Sequence, residues 1–179
     1  SSLADPYSAL AGAIGSLYGP LHGGANAAVM KMLLDIGEDA DDARVGDQIR
    51  AMLARKDRVP GFGHRVYRTE DPRATHLRQM SRDLGIQTGN NRWFEISQRI
   101  EAVMKEETGI DANVDFYSAS TYHALGLDLD LFTPIFVASR VAGWAAHVLE
   151  QYANNRLIRP RADYVGPEYP QTFVPLPDR

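Results

Sequence analysis

Apolar residues recur at helical spacing through most of this chain. Residues 6–17 (PYSALAGAIGSL) form the first such stretch, and Tyr18-Gly19-Pro20 is expected to stop it. Residues 25–36 (ANAAVMKMLLDI) resume a helix that ends at Gly37, a natural left-handed C-terminal position. A third helix fits 41–56. Residues 59–67 contain Pro60, Gly61 and Gly63, too much punctuation for a helix, and read as an irregular loop. Asp71-Pro72 then places an N-cap acceptor before a proline at the first helical position, and Leu84-Gly85 is expected to close that helix. Residues 91–108 carry Trp93, Ile96, Ile100, Val103 and Met104 on one face and stop at Gly109. Asn113 can cap a helix through Leu125. The stretch 131–154 is long, apolar and free of proline after Pro134, and the proline-rich tail from Arg159 is expected to run extended over the surface. No segment alternates with a two-residue period for more than a few positions, and there is no internal repeat or low-complexity linker, so the expected class is all-α.

Composition narrows the function classes. A chain of 179 residues can form one domain with a real core, or two small lobes. Nineteen basic against twenty-three acidic residues give a formal charge of -4, which offers no footprint for nucleic acid or an anionic membrane. There is no cysteine, which excludes disulfides and thiolate zinc sites. No apolar run is expected to reach the ~20 residues of a membrane-spanning helix, and the opening SSLADPYSAL lacks the basic and apolar blocks of a signal peptide. The expectation is a cytoplasmic protein, with an abrupt helical start that reads as a truncation.

The chemistry concentrates in three glycine- and proline-marked islands: GPLHGGAN at 19–26, VPGFGHRVYRTEDPR at 59–73 and NVDFYSAS at 113–120. His22 sits just before a helix, where unpaired amides and the helix dipole favour a neutral imidazole, able to donate one N–H to a developing oxyanion. Position alone equally fits a structural histidine in a glycine-rich turn. His64 lies in a loop whose glycines permit close approach of a ligand, and Arg65, Arg68 and Arg73 follow, suited to two-point contact with carboxylate or phosphate. Gly61-Phe62-Gly63 is no dinucleotide fingerprint, having no preceding strand and no third glycine. Asp115 falls in the first turn after the Asn113 cap. The dipole stabilises its anion, while Val114, Phe116 and Tyr117 are expected to desolvate it and restore its basicity. Arg140 interrupts the apolar run FVASRVAGWAAHVL, where a buried guanidinium would need an anionic partner. Zinc hydrolysis through His22, His64 and Asp115 is disfavoured, because no H-x-x-x-H or H-x-H pair is present.

GPLHGGAN, PGFGHRVY with DPR, NVDFYSA, LFTPIFVASRVAGW and RLIRPRADYVG occur in this order along essentially the whole chain. Together they resemble the C-terminal half of citrate synthase, most of all the bacterial type. The resemblance implies an all-α, citrate synthase-like fold with a complete small domain at 25–126. The flanks 1–24 and 127–179 would then belong to the large domain, the latter ending in the extended tail. It also implies an acyltransferase of the tricarboxylic acid cycle that joins acetyl-CoA to oxaloacetate through an enol and citryl-CoA, with no metal or redox cofactor. Asp115 would remove a proton from the acetyl methyl, His22 would hydrogen-bond the thioester oxygen, and His64 would donate to the oxaloacetate carbonyl. Arg73 and Arg140 would hold oxaloacetate carboxylates, and Arg159 would reach the active site of the second subunit of a homodimer. Val59, Pro60, Gly61, Phe62, Gly63 and Arg68 lie where the family contacts coenzyme A.

Family members are longer, and their upstream part carries most of the large domain and another oxaloacetate-binding histidine motif. The chain is therefore expected to be a C-terminal fragment that needs a complementary N-terminal half for full activity. Two alternatives stand beside citrate synthesis: a 2-methylcitrate synthase using propionyl-CoA, one methylene larger, and a non-catalytic CoA-binding or assembly module.

Overall fold

The computed structural model describes residues 1–19 and 21–178. Seven α-helices account for most of them: α1 (Pro6–Leu17), α2 (Ala25–Ile36), α3 (Asp42–Ala54), α4 (Pro72–Thr88), α5 (Arg92–Thr108), α6 (Val114–Ala124) and α7 (Phe132–Ala153), the last preceded by a 3₁₀ turn at Leu129–Leu131. The only β-type pairing among the described residues is an isolated bridge between Phe62 and Ala112. Pro20, expected to help stop α1, lies outside the described residues.

Local chemistry starts several helices where the sequence suggests. Asp5, Asp41, Asp71 and Asn113 each accept from amides of the first turn that follows, satisfying donors that have no partner inside the helix. One end differs from expectation. Gly85 does not close its helix; α4 continues to Thr88 and ends at Gly89, whose φ is 74°. Gly85 is instead a buried contact point, where an added Cβ would lie 2.8 Å from Asn91 Oδ1 and 3.2 Å from the Asn90 carbonyl. Close packing, not chain reversal, explains that glycine.

α2 through α6 enclose the core. α4 packs on α6, α3 on α5, and α2 on α6. Val29, Met30, Leu33 and Ile36 from α2 meet Ile96, Ile100 and Val103 from α5 and Phe116 and Tyr117 from α6, all nearly or fully buried. Each such side chain contributes about 1.5–3 kcal/mol on removal from water. A polar knot joins the far side: Tyr117 donates to Glu101 at 2.5 Å, and Arg78 bridges Glu101 and Glu70 while lying over the Tyr117 ring. Two residues upstream of Tyr117 on α6 is Asp115.

α1 and α7 pair with each other at the edge, and each buries a single side chain, Leu17 and Phe132. With its preceding turn, Leu129–Ala153 is 25 residues long and apolar enough to cross a membrane by length and composition alone. This corrects the expectation that no run approaches that length. Beyond α7, residues 154–175 are exposed and irregular, with bends at 166–167 and 169–170.

Candidate active site

The loop at 59–63 is fastened to the start of α6 by backbone and side-chain bonds. The Asn113 amide donates to the Gly61 carbonyl at 2.9 Å, the Gly63 amide to the Asp111 carbonyl at 3.0 Å, and Asn113 Nδ2 to the Gly63 carbonyl at 2.8 Å. Asn113 Oδ1 meanwhile accepts from the Asp115 amide at 2.9 Å, so one side chain caps α6 and fixes the loop. Gly61 makes the approach feasible. Its φ is 83°, and a Cβ there would sit 2.8 Å from both Phe116 and Val29. Val59 and Phe62 turn into the core, Phe62 against the Phe116 ring at 4.6 Å. They can therefore offer a ligand only their backbone.

His22 is set by the turn before α2. The Gly23 amide donates to the Leu17 carbonyl at 3.0 Å, and a Cβ at Gly23 would collide with that oxygen at 2.2 Å. The Gly23 carbonyl accepts from Thr133 Oγ1 at 2.8 Å, which ties the turn to α7. Phe136, one turn along α7, meets the exposed His22 ring edge-on at 5.7 Å, and the Arg140 guanidinium lies 5.0 Å over Phe136. Arg140 is exposed and not buried as its apolar surroundings suggested; the aromatic face provides its support.

His64 Nδ1 accepts from the amides of Val66 and Tyr67 at 3.0 and 3.1 Å. In the neutral ring the proton must then reside on Nε2, the edge turned away from that loop. A histidine donor is thus selected by local backbone. Nearby, Arg73 is gripped by Asp71: Nε to Oδ1 at 3.0 Å and Nη2 to Oδ2 at 2.8 Å.

These groups converge on Asp115. Burial lifts its carboxyl above the ordinary value, and the charge of Asp71 adds to the rise. His22, Arg73 and His64 pull it the other way without cancelling the effect. The cleft beside it, about 160 Å³, is lined by His22, Arg58, Pro60, Gly61, Asn113 and Asp115. A neighbouring cavity of about 290 Å³ is lined by Gly63, His64, Tyr67, Arg68, Asp71 and Asp111, among others.

The structure therefore gathers His22, His64 and Arg73 around the Asp115 carboxylate and brings Arg140 alongside His22 through Phe136. Arg159 stays apart, exposed in the irregular segment after α7 and without an ion pair among the described residues. Sequence reasoning passed over Arg58, which shares the Asp115 cleft; a cation directly before Val59-Pro60-Gly61 was the available signal. It also passed over Tyr122, whose hydroxyl is held above its usual range by burial and by Asp115. Its place seven residues along α6, on the same face, pointed to it. Among the described residues no three His, Cys, Asp or Glu side chains are grouped to hold a metal.

An all-helical domain that presents a desolvated carboxylate, an imidazole and a guanidinium in one cleft, with a second imidazole lining the neighbouring cavity, has the groups needed to enolise a carbonyl compound and bind an anionic partner. The family model "Citrate synthase, C-terminal domain" matches residues 1–161, and the chain belongs to the citrate synthase family. It is 58% identical to citrate synthase 2 of Bacillus subtilis strain 168 across all 179 residues, which make up 47% of that protein. It is 48% identical, again over its whole length and 47% of the relative, to a 2-methylcitrate synthase of Shewanella oneidensis. Among solved structures it resembles the ternary complex of carboxymethyl coenzyme A and oxaloacetate with citrate synthase from Thermoplasma acidophilum. That match has a TM-score of 0.85 and 36% identity, covering 99% of this chain and 48% of the other. The chain thus spans about half the length of the relatives it matches.

Proposed function

We propose that this chain provides the C-terminal part of a citrate synthase, with residues 25–126 as its small domain and residues 1–24 and 127–179 joining a large domain completed by an N-terminal half. Asp115 takes a proton from the methyl of acetyl-CoA, and the C–H electron pair becomes the carbon–carbon double bond of the enol. His22 donates to the thioester oxygen as charge develops there. The enol carbon attacks the ketone carbon of oxaloacetate, and that ketone oxygen receives a proton from His64 Nε2. Arg73 and Arg140 hold the dicarboxylate, the 59–63 loop and Arg68 meet coenzyme A, and water hydrolyses citryl-CoA to citrate and CoA. No step requires a metal or redox cofactor.

The observation that carries this reading is the pairing of a desolvated Asp115 with His22 in one cleft. A carboxylate of ordinary pKa ~3.9 is a poor base toward a methyl beside a thioester, so raised basicity and simultaneous donation to oxygen must act together. The exposed apolar face of α7 fits burial under the remaining large-domain helices in a cytoplasmic enzyme, and exposed Arg159 fits a contact with the second subunit of a homodimer. Higher identity to a citrate synthase than to a 2-methylcitrate synthase favours acetyl-CoA. The propionyl alternative differs by one methylene, about 1–3 kcal/mol of discrimination.

The test is a condensation assay with oxaloacetate and either acetyl-CoA or propionyl-CoA, using this chain alone and joined to an N-terminal half from a relative. The joined protein is expected to form citrate, with acetyl-CoA preferred, and the chain alone to be nearly inactive. A propionyl preference would assign 2-methylcitrate synthesis; CoA binding without turnover in both forms would leave a binding module.

A further inference from the structure

Asp71 is 1% exposed, yet it remains a carboxylate with four donors: the Arg73 amide at 3.0 Å, Arg73 Nε at 3.0 Å, Arg73 Nη2 at 2.8 Å and the Val114 amide at 3.3 Å. As a helix cap alone this is more than needed. Asn or Ser caps as well without burying a charge. The two extra kinds of contact have a common geometry: one fixes the guanidinium at the start of α4, the other fixes the first amide of α6, directly before Asp115.

Occupation of Nε and Nη2 by Asp71 leaves Nη1 and the end of the guanidinium fork for another anion. The Arg73 side chain is 48% exposed, so that end is accessible. Arg73 also lies within the electrostatic reach of Asp115. Freed from Asp71, the cation would have Asp115 as a competing partner, and that pairing would neutralise the base and occupy the fork together.

We infer that Asp71 is a positioning residue for this site, holding Arg73 with one edge toward an incoming carboxylate and preventing that cation from closing onto Asp115. Its negative charge has a second, supporting effect. It offsets Arg73 at Asp115, so the base keeps the basicity that burial confers. The other charged or titratable groups around Asp115 are His22 before α2, Arg58, His64 in the loop, Tyr122 on α6 and, through Phe136 and His22, Arg140 on α7, while Tyr67 faces Arg73. None of them contacts both Arg73 and the start of α6 as Asp71 does.

The kinetic consequence rests on the condensation reading, but the first readout does not. Carbon-detected NMR titration of the 179-residue chain follows the Asp115 carboxyl directly. In Asp71→Asn, and in Asp71→Ser as a second uncharged cap, its midpoint is expected to move downward while helix content is retained. In the protein completed by an N-terminal half, Asp71→Asn should lower kcat by about 10²-fold through misplacement and raise the KM for oxaloacetate more than that for acetyl-CoA. The acid limb of the pH–rate profile should move to lower pH. In an Arg73→Gln background the same substitution should cost less than about threefold further, because the partner it acts through is already gone. An unmoved Asp115 midpoint in both folded variants would overturn the proposal, as would full additivity with Arg73→Gln. A shifted midpoint in a completed protein with no condensation activity would leave the positioning role standing and remove the functional reading instead.

Discussion

The bundle of α2–α6 and the more apolar α1/α7 pair both carry apolar stripes, but those stripes have different fates. In the bundle the apolar stripes of α2 and α5 and the aromatic pair of α6 meet one another and leave little exposed. α1 and α7 pair chiefly with each other, α7 touching the bundle at α2 and through Phe132, and Leu149, Val141, Ile14 and Tyr7 remain exposed. The first region has its own core; in the second most of the apolar surface is open. The difference teaches that the candidate site straddles a boundary: Asp115, His64 and Arg73 stand on the self-contained side, while His22 and Arg140 depend on elements whose apolar faces are exposed.

That contrast can be broken most forcefully by truncating one side chain on each side. Phe116→Ala is expected to cost about 3–5 kcal/mol in denaturant unfolding of the 179-residue chain. Leu149→Ala, 64% exposed, should stay within about 0.5 kcal/mol, and its cost should grow only when an N-terminal half is supplied. Equal costs in the isolated chain would erase the distinction. Arg73→Lys comes next. A point charge cannot reproduce the fork, so oxaloacetate binding by the completed protein should weaken by about 1.5–3 kcal/mol with little change for acetyl-CoA, as read by calorimetry.

Gly61→Ala tests the joint between loop and bundle. Its positive φ and the contacts that a Cβ would make should destabilise the bundle by about 1–3 kcal/mol, visible as a lower unfolding midpoint. The smallest effect concerns pH. Asp115 has a folded-state pKa above its ordinary 3.8, so the native state binds more protons than the unfolded one between those two values. Its contribution to stability therefore declines as pH rises through that window. Asp71, whose carboxyl lies below its ordinary value because Arg73 and nearby amides outweigh burial, contributes in the opposite sense and loses its effect as pH falls through its depressed folded pKa. Asp115→Asn should accordingly raise the neutral-pH unfolding temperature slightly, a gain that disappears in acid. A loss of stability at neutral pH would contradict the desolvation of this group.

Much of this was legible before the structure because local rules governed it. Asp71-Pro72, Asn113 and the glycines at 37 and 109 mark helix ends through capping and backbone geometry. His22, His64 and Asp115 also stood out in their islands, and the structure brings the two histidines within electrostatic reach of Asp115. Gly85 misled because a glycine needed for close packing looks, in sequence, like one needed for a turn. Arg140 looked buried because an apolar run does not reveal which neighbours are present to cover it. The grip of Asp71 on both Arg73 and the Val114 amide was hidden for another reason: it joins residues 43 apart in sequence, and no local pattern reports such a meeting.

The central claim is that Asp115 removes the methyl proton with His22 receiving the developing charge. Solvent-deuterium exchange into the methyl of acetyl-CoA, catalysed by the completed protein with an unreactive four-carbon dicarboxylate in place of oxaloacetate, isolates that step from condensation. Wild type is expected to exchange, and Asp115→Asn to lose about 10²–10⁴-fold of the rate while still binding the dicarboxylate. Exchange by Asp115→Asn at the wild-type rate would contradict the account.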